Sequence, residues 1–231
     1  MSIEPIIIIL IAPVVASIYL LLSSRYAESE FHKLLRDSFL YGIIAFIVSV
    51  LLIVLMDALG LATTRSLNRT LFYSFVVVGF LEQLPRFLIF MLIIARKEAF
   101  NTPTKGILLS IALSLGFVLI KNTWFVLTNG GLHFSETSGF LDVPAQILVA
   151  VVMGFFLSYG AFLGSKFIYP LLALGSASFF HGLYQFSIFS KDNMLMGSFF
   201  GLVLLLAILL FRKMMRTNPE DLKRTQYDAK G

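Results

Sequence analysis

The sequence predicts an all-α fold: a polytopic membrane bundle of about seven transmembrane helices. Three observations carry this. Of the 231 residues, 58% are hydrophobic and only 13% charged, where a soluble domain of this length carries about a quarter charged residues. The apolar residues are gathered into runs near the roughly 20 residues needed to cross a hydrocarbon core. No run alternates with period two as a barrel strand would, so helices are the form that satisfies every backbone group within the span.

The candidate spans, in order, are residues 5–23, 38–58, 71–95, 106–128, 140–164, 167–189 and 194–212. The first contains the unbroken run Ile6 to Leu22. Its approach carries Glu4 in place of a basic segment, so it is expected to remain as a membrane helix and not to be cleaved as a signal peptide. Only Ser165-Lys166 separates the fifth and sixth spans, which predicts a tight hairpin. Residues 1–216 form one bundle, and 217–231 a polar cytoplasmic tail. Gly160-x-x-x-Gly164 and Gly197-x-x-x-Gly201 are spacings that let helices approach closely within the bundle.

The basic residues divide unevenly between the loops. Arg25, Lys33, Arg36, Arg96, Lys97, Lys105, Lys166 and the tail residues Arg212, Lys213, Arg216, Lys223, Arg224 and Lys230 make 13 on one side. Arg65, Arg69 and Lys191 make 3 on the other, and Arg86 and Lys121 lie inside spans. The positive-inside rule then places the amino terminus outside and the tail in the cytoplasm. The net charge of +5 is therefore a matter of topology and of contact with the lipid bilayer, and no nucleic-acid partner is expected. The absence of cysteine removes thiol catalysis and Cys-zinc sites.

Function is sought where polar groups interrupt apolar runs, because an ionisable side chain in lipid costs a few kcal/mol or more and usually faces a bundle interior. Glu82, Gln83 and Arg86 interrupt the third span, Lys121 and Asn122 the fourth, Gln146 the fifth, and His181 and Gln185 the sixth. Glu82 and Arg86 are four apart and share a helix face. Counting 1.5 Å per residue from the cytoplasmic end of each span puts Glu82, Arg86, Lys121 and His181 at heights of roughly 13–22 Å, and Gln146 and Gln185 at roughly 27 Å. Four helices thus place polar groups in one layer, in the middle to outer half of the membrane, where they can converge on one cavity. Elsewhere, Asp142 suits the start of the fifth helix, where an acid meets the helix dipole. Asp57 reaches interfacial water, His32 lies in a charged loop, and His133 and Glu136 sit in an outer loop. Asn68-Arg69-Thr70 matches a glycosylation acceptor and lies on the expected outer side. Ser110, Ser114 and Lys121 on one helix raise a serine–lysine arrangement as a minor alternative.

Gly79-Phe80-Leu81-Glu82-Gln83-Leu84-Pro85-Arg86, then Phe100-Asn101-Thr102-Pro103-Thr104-Lys105-Gly106-Ile107, then Gly116-Phe117-Val118-Leu119-Ile120-Lys121-Asn122, resemble the PrsW family of intramembrane proteases, relatives of the CAAX-processing glutamic proteases. Val143-Pro144-Ala145-Gln146-Ile147 and His181-Gly182-Leu183-Tyr184-Gln185 fall where that family carries Val-Pro-Gly-His and His-x-x-x-Asp. The resemblance spans about residues 75–190 and implies a bacterial inner-membrane protein whose paired glutamates and histidines activate water, with zinc if active.

The departures decide what is expected of this chain. By resemblance, Glu82, Arg86, Asn122 and His181 keep their motif positions. The second glutamate is Gln83, the third acid is Lys121, the first histidine is Gln146, and the last acid is Gln185. A glutamine cannot take a proton as a general base. Zinc wants about three ligands from His, Asp, Glu or Cys, and Glu82 and His181 alone remain. The first expectation is an inactive family member, a pseudoprotease, that binds or regulates a membrane protein or transmembrane helix, with no cofactor. The alternative is an active endopeptidase with Glu82 and His181 as catalytic and metal-binding residues. A third is a transporter or scaffold subunit. A bond between Lys121 Nζ and Glu82 is the mark of the first, and three ligands converging on a metal are the mark of the second.

Overall fold

The computed structural model describes residues 13–16, 18, 28–129, 136–165 and 167–216, and every element among them is helical. The elements are α1 (Ser29–Ala58), α2 (Leu67–Phe72), a π-helical segment (Tyr73–Phe80), α3 (Leu81–Leu92), a short 3₁₀ turn (Ile94–Arg96), α4 (Pro103–Asn129), α5 (Glu136–Leu163), α6 (Ile168–Ser190) and α7 (Asn193–Arg216). Residues 67–96 act as one membrane-crossing unit despite their change of pitch.

Five described helices are long and apolar enough to cross a membrane: Ser29–Ala58, Leu67–Arg96, Pro103–Leu127, Leu141–Leu163 and Asn193–Arg216. The expected count of seven is therefore not confirmed among the described residues. The first expected span falls almost wholly outside the described residues. The sixth is present as the 23-residue helix α6, but Ser176, Ser178, His181, Tyr184, Gln185 and Ser187 lower its hydropathy. The tail 217–231, Lys166, His133 and the side chain of Glu136 also lie outside the description.

The helices close into a ring. α1 packs along α4, α4 along α5, α5 along α6, α6 along the π-helical segment, and α3 returns to α1. α7 lies outside the ring against α5 and α6. The lipid-facing side of α1 is lined by exposed Ile44, Ile47, Leu51, Val54 and Leu55, while Phe31, Leu35, Ala45 and Phe46 turn inward.

Small residues set the closeness of this ring. A Cβ on Gly116 would strike the backbone carbonyl of Phe39, and one on Gly42 would strike that of Leu113. The α1 and α4 backbones are in direct contact there, which glycine permits. Gly116→Val is expected to lower stability by about 1–3 kcal/mol or more, since backbone must move to admit the side chain. Gly197→Ala is the matched control, because a Cβ at Gly197 meets nothing within 4 Å among the described residues. Thermal unfolding of both variants in detergent checks the pair, and equal midpoints would contradict this packing. Among the described residues the Gly197/Gly201 spacing on α7 meets no neighbouring helix, whereas it was expected to pack within the bundle. Gly160 meets the Tyr169 side chain across the α5–α6 hairpin, and Gly164 ends α5 with a left-handed φ of 68°.

Helix ends follow local chemistry. Pro103 occupies the first turn of α4, and the Thr102 hydroxyl accepts from Lys105 N–H at 3.4 Å. Gly60, with φ 70°, closes α1 while Leu61 N–H reaches back to the Met56 carbonyl at 2.9 Å. Asp192 caps α7 by accepting from Met194 and Leu195 N–H. α1 starts at Ser29, nine residues before the expected span, so His32, Lys33 and Arg36 lie on a helix and not in a loop. Hydropathy marks the apolar core of a helix but not its continuation among charged residues.

Candidate functional site

The polar layer is built around α3. Pro85 inside α3 has no N–H to return to the Leu81 carbonyl. The Ser49 hydroxyl of α1 approaches this carbonyl at 3.2 Å, sharing its one hydrogen with the nearer Ala45 carbonyl at 2.9 Å. Before α3 the chain widens into the π-helical segment, a rare form that is common near functional sites. At Gly79, in that segment, a Cβ would come within 2.8 Å of the Ser178 carbonyl and 2.9 Å of Gly182 Cα. This bare contact draws α6 against the segment. Gly79 is three residues before Glu82, and Gly182 adjoins His181, so the same contact brings those two side chains together.

Glu82 is the hub. Its Oε2 accepts from Lys121 Nζ at 3.0 Å and lies 3.0 Å from His181 Nε2. With the carboxylate ionised, Nε2 is the imidazole nitrogen that carries the proton, an assignment made from this contact. Lys121 Nζ is also 3.7 Å from Asp142 Oδ1 on α5. The ammonium therefore stands between carboxylates from α3 and α5. Glu82, Asp142 and His181 are buried, while the Lys121 side chain keeps 18% of its surface exposed.

Arg86, one turn on, is fully buried. Its Nε donates to the Glu82 backbone carbonyl at 3.0 Å. One terminal nitrogen donates to Ser114 Oγ at 3.2 Å and to Gln146 Oε1 at 2.6 Å. The guanidinium also lies 4.1 Å above the Phe117 ring, a favourable placement for a cation. The expected sharing of a face by Glu82 and Arg86 is present, but it is expressed through a backbone carbonyl.

Asp142 was assigned to the helix dipole, yet it is buried and faces Lys121 inside the site. The available signal was its position four residues before Gln146, one turn along the same helix. The serine–lysine arrangement does not form: Ser114 serves Arg86 and Lys121 serves Glu82. The reckoned heights also fail, since Arg86 and Gln146 were placed roughly 14 Å apart and are hydrogen-bonded. That reckoning gave all spans a common cytoplasmic plane, which helices of unequal length need not share. Gln83, Asn122 and Gln185 are buried on α3, α4 and α6. Among the described residues, Gln83 Nε2, Gln146 Nε2, Arg86 Nη2, Asp142 Oδ2 and His181 Nδ1 are buried with no hydrogen-bond partner.

This layer can be set against known proteins. A family model described as PrsW family intramembrane metalloprotease matches residues 30–212. The chain belongs to the PrsW family. The protein named Protease PrsW from Bacillus subtilis (strain 168) is 28% identical over 187 residues, covering 79% of this chain and 82% of that relative. The Protease PrsW of Geobacillus kaustophilus (strain HTA426) is 26% identical over 197 residues, covering 84% of each chain. That of Clostridioides difficile (strain 630) is 25% identical over 169 residues, 70% of this chain and 69% of the relative. No solved structure matches this chain. PrsW membership and five apolar helices make it an integral membrane protein.

The family description implies a metal, and the residues here do not fit one. Among the described residues no three His, Cys, Asp or Glu side chains are grouped to hold an ion. The Glu82 oxygen that faces His181 also carries the Lys121 ammonium, so a metal there would compete with a cation already in place.

Proposed function

We propose that the chain is a PrsW-family membrane protein without hydrolytic activity, which binds or regulates membrane-protein partners. One observation carries this reading: the Glu82 carboxylate, the only acid kept at the motif's two adjacent glutamate positions, is engaged at a single oxygen by both Lys121 and His181. A general base must reach a water and exchange its proton. Gln83 and Gln185 cannot do so in its place, and Gln146 is engaged with Arg86. What the helix ring retains is a polar interior able to recognise a transmembrane segment.

The second reading, an active intramembrane metallo- or glutamic endopeptidase, is favoured by the printed name of the relatives and by the 3.0 Å Glu82–His181 contact. Proteoliposomes holding the purified chain and a panel of transmembrane substrates separate the two. The expected result is no cleavage above that of Glu82→Ala. Cleavage lost in Glu82→Ala would establish the second reading instead.

The reading includes an orientation: amino terminus outside, tail in the cytoplasm, and residence in a bacterial inner membrane. The distribution of Lys and Arg supports it. The chain contains no cysteine, so single cysteines can be introduced without background. A cysteine at Ser66 is expected to react with an impermeant maleimide in intact cells, and one at Ser29 only after lysis. The reverse pattern would overturn the orientation.

A further inference from the structure

We infer that Glu82 and Asp142 form a two-carboxylate cation site whose resident cation is the chain's own Lys121 ammonium, and that this tethered cation excludes a metal ion. The inference deepens the inactive reading, on which it rests for the role of the site.

The geometry comes from three separate elements. Glu82 on α3 lies 3.0 Å from Lys121 Nζ, and Asp142 on α5 lies 3.7 Å from the same atom. Both carboxylates are buried. Two acids in a lipid-embedded bundle need positive charge beside them, because the loss of hydration is not otherwise repaid. Lys121 stands nearest to both. The charges close when the wider layer is included: Glu82 and Asp142 against Lys121 and Arg86 sum to zero, counting His181 as the uncharged imidazole. A dication entering this balanced layer would leave it at plus two.

The ligand set points the same way. Lys121 and His181 both meet Oε2 of Glu82, so a metal would have to displace a covalently attached competitor. Asp142 does not belong to the motif positions read from the sequence. The structure gives it a place as the second wall of the cation site.

This makes position 121 a charge switch. Lys121→Glu changes the sum from zero to minus two, the charge that a divalent ion balances. It also brings a third acid towards Glu82, Asp142 and His181. The full chain, purified in detergent, would be dialysed against chelator-buffered zinc and its metal counted by mass spectrometry. A thermal unfolding scan would be run with zinc and with chelator.

The wild type is expected to hold no stoichiometric zinc, and its midpoint to move with neither addition. Lys121→Glu is expected to take up zinc to one ion per chain, with a midpoint raised by zinc. Adding Asp142→Asn to that variant is expected to weaken binding about tenfold or more. A wild type carrying one zinc that is lost in Glu82→Gln would overturn the inference, and so would a folded Lys121→Glu that takes none. Lys121→Ala provides a separate check by rescue. Propylammonium in the buffer is expected to raise its midpoint and leave the wild type unmoved, whereas no selective rescue counts against a cation site. A zinc-free wild type that cleaves substrate would end the inactive reading and leave this inference standing. A zinc-loaded wild type that cleaves nothing would do the reverse.

Discussion

Lys121→Met is expected to destabilise the protein by about 3–5 kcal/mol, the cost of removing one partner from a buried ion pair. The substitution preserves most of the side-chain length and apolar stem, so the effect isolates the charge. It leaves Glu82 and Asp142 buried without the ammonium that stands between them. Glu82→Gln should cost less, because Lys121 keeps Asp142 and a glutamine oxygen can still accept from it. Combining Lys121→Met with Glu82→Gln should recover part of the loss, since one of the two stranded carboxylates is then gone. The three variants and the wild type form a double-mutant cycle in detergent unfolding, the measurement that apportions a coupled pair. Strict additivity of the two single changes would show that the 3.0 Å contact contributes no coupling.

Arg86→Leu is the second large expected effect, again about 3–5 kcal/mol. A fully buried guanidinium here ties its own helix to two others, through Ser114 of α4 and Gln146 of α5, and rests on Phe117. Its loss strands the Gln146 oxygen and the Ser114 hydroxyl, and tips the layer to a net negative charge. Arg86→Lys should recover only part of the stability. A lysine carries the charge but lacks the planar fork that serves Ser114 and Gln146 from one nitrogen while Nε holds the Glu82 carbonyl. Unfolding midpoints of the two variants check the order, and an Arg86→Lys protein as weak as Arg86→Leu would mean that geometry outweighs charge completely.

Parts of this site were legible because they depend on residue type alone. A glutamate and an arginine inside an apolar run must turn inward, and both do. The bond from Lys121 to Glu82, expected from an ammonium placed where an acid belongs, is present at 3.0 Å. Other parts were not legible. Asp142, three residues inside the 140–164 span expected from hydropathy, looked like an ordinary helix-start acid until α5 was seen to carry it against α4. Arg86 shares a helix face with Glu82, but Lys121 and His181 occupy that carboxylate and the guanidinium turns to Gln146. Competition among several donors for one acceptor is settled in three dimensions and leaves no periodic trace in the chain.

The same division holds for the fold. Hydropathy alone determined that this is a helical membrane protein, because backbone groups in lipid must be satisfied within each span. Side-chain identity alone determined that Gln83, Lys121, Gln146 and Gln185 stand where the resemblance implies acids and histidines, since a glutamine is a glutamine in any packing. The tertiary structure decided which of the remaining charges meet. That outcome depends on the π-helical widening before Glu82, on the bare backbone contact of Gly79 with Gly182, and on the packing of α4 against α5 that brings Lys121 to Asp142. Each of these is set by packing between helices, a property of the assembled ring and not of any one segment.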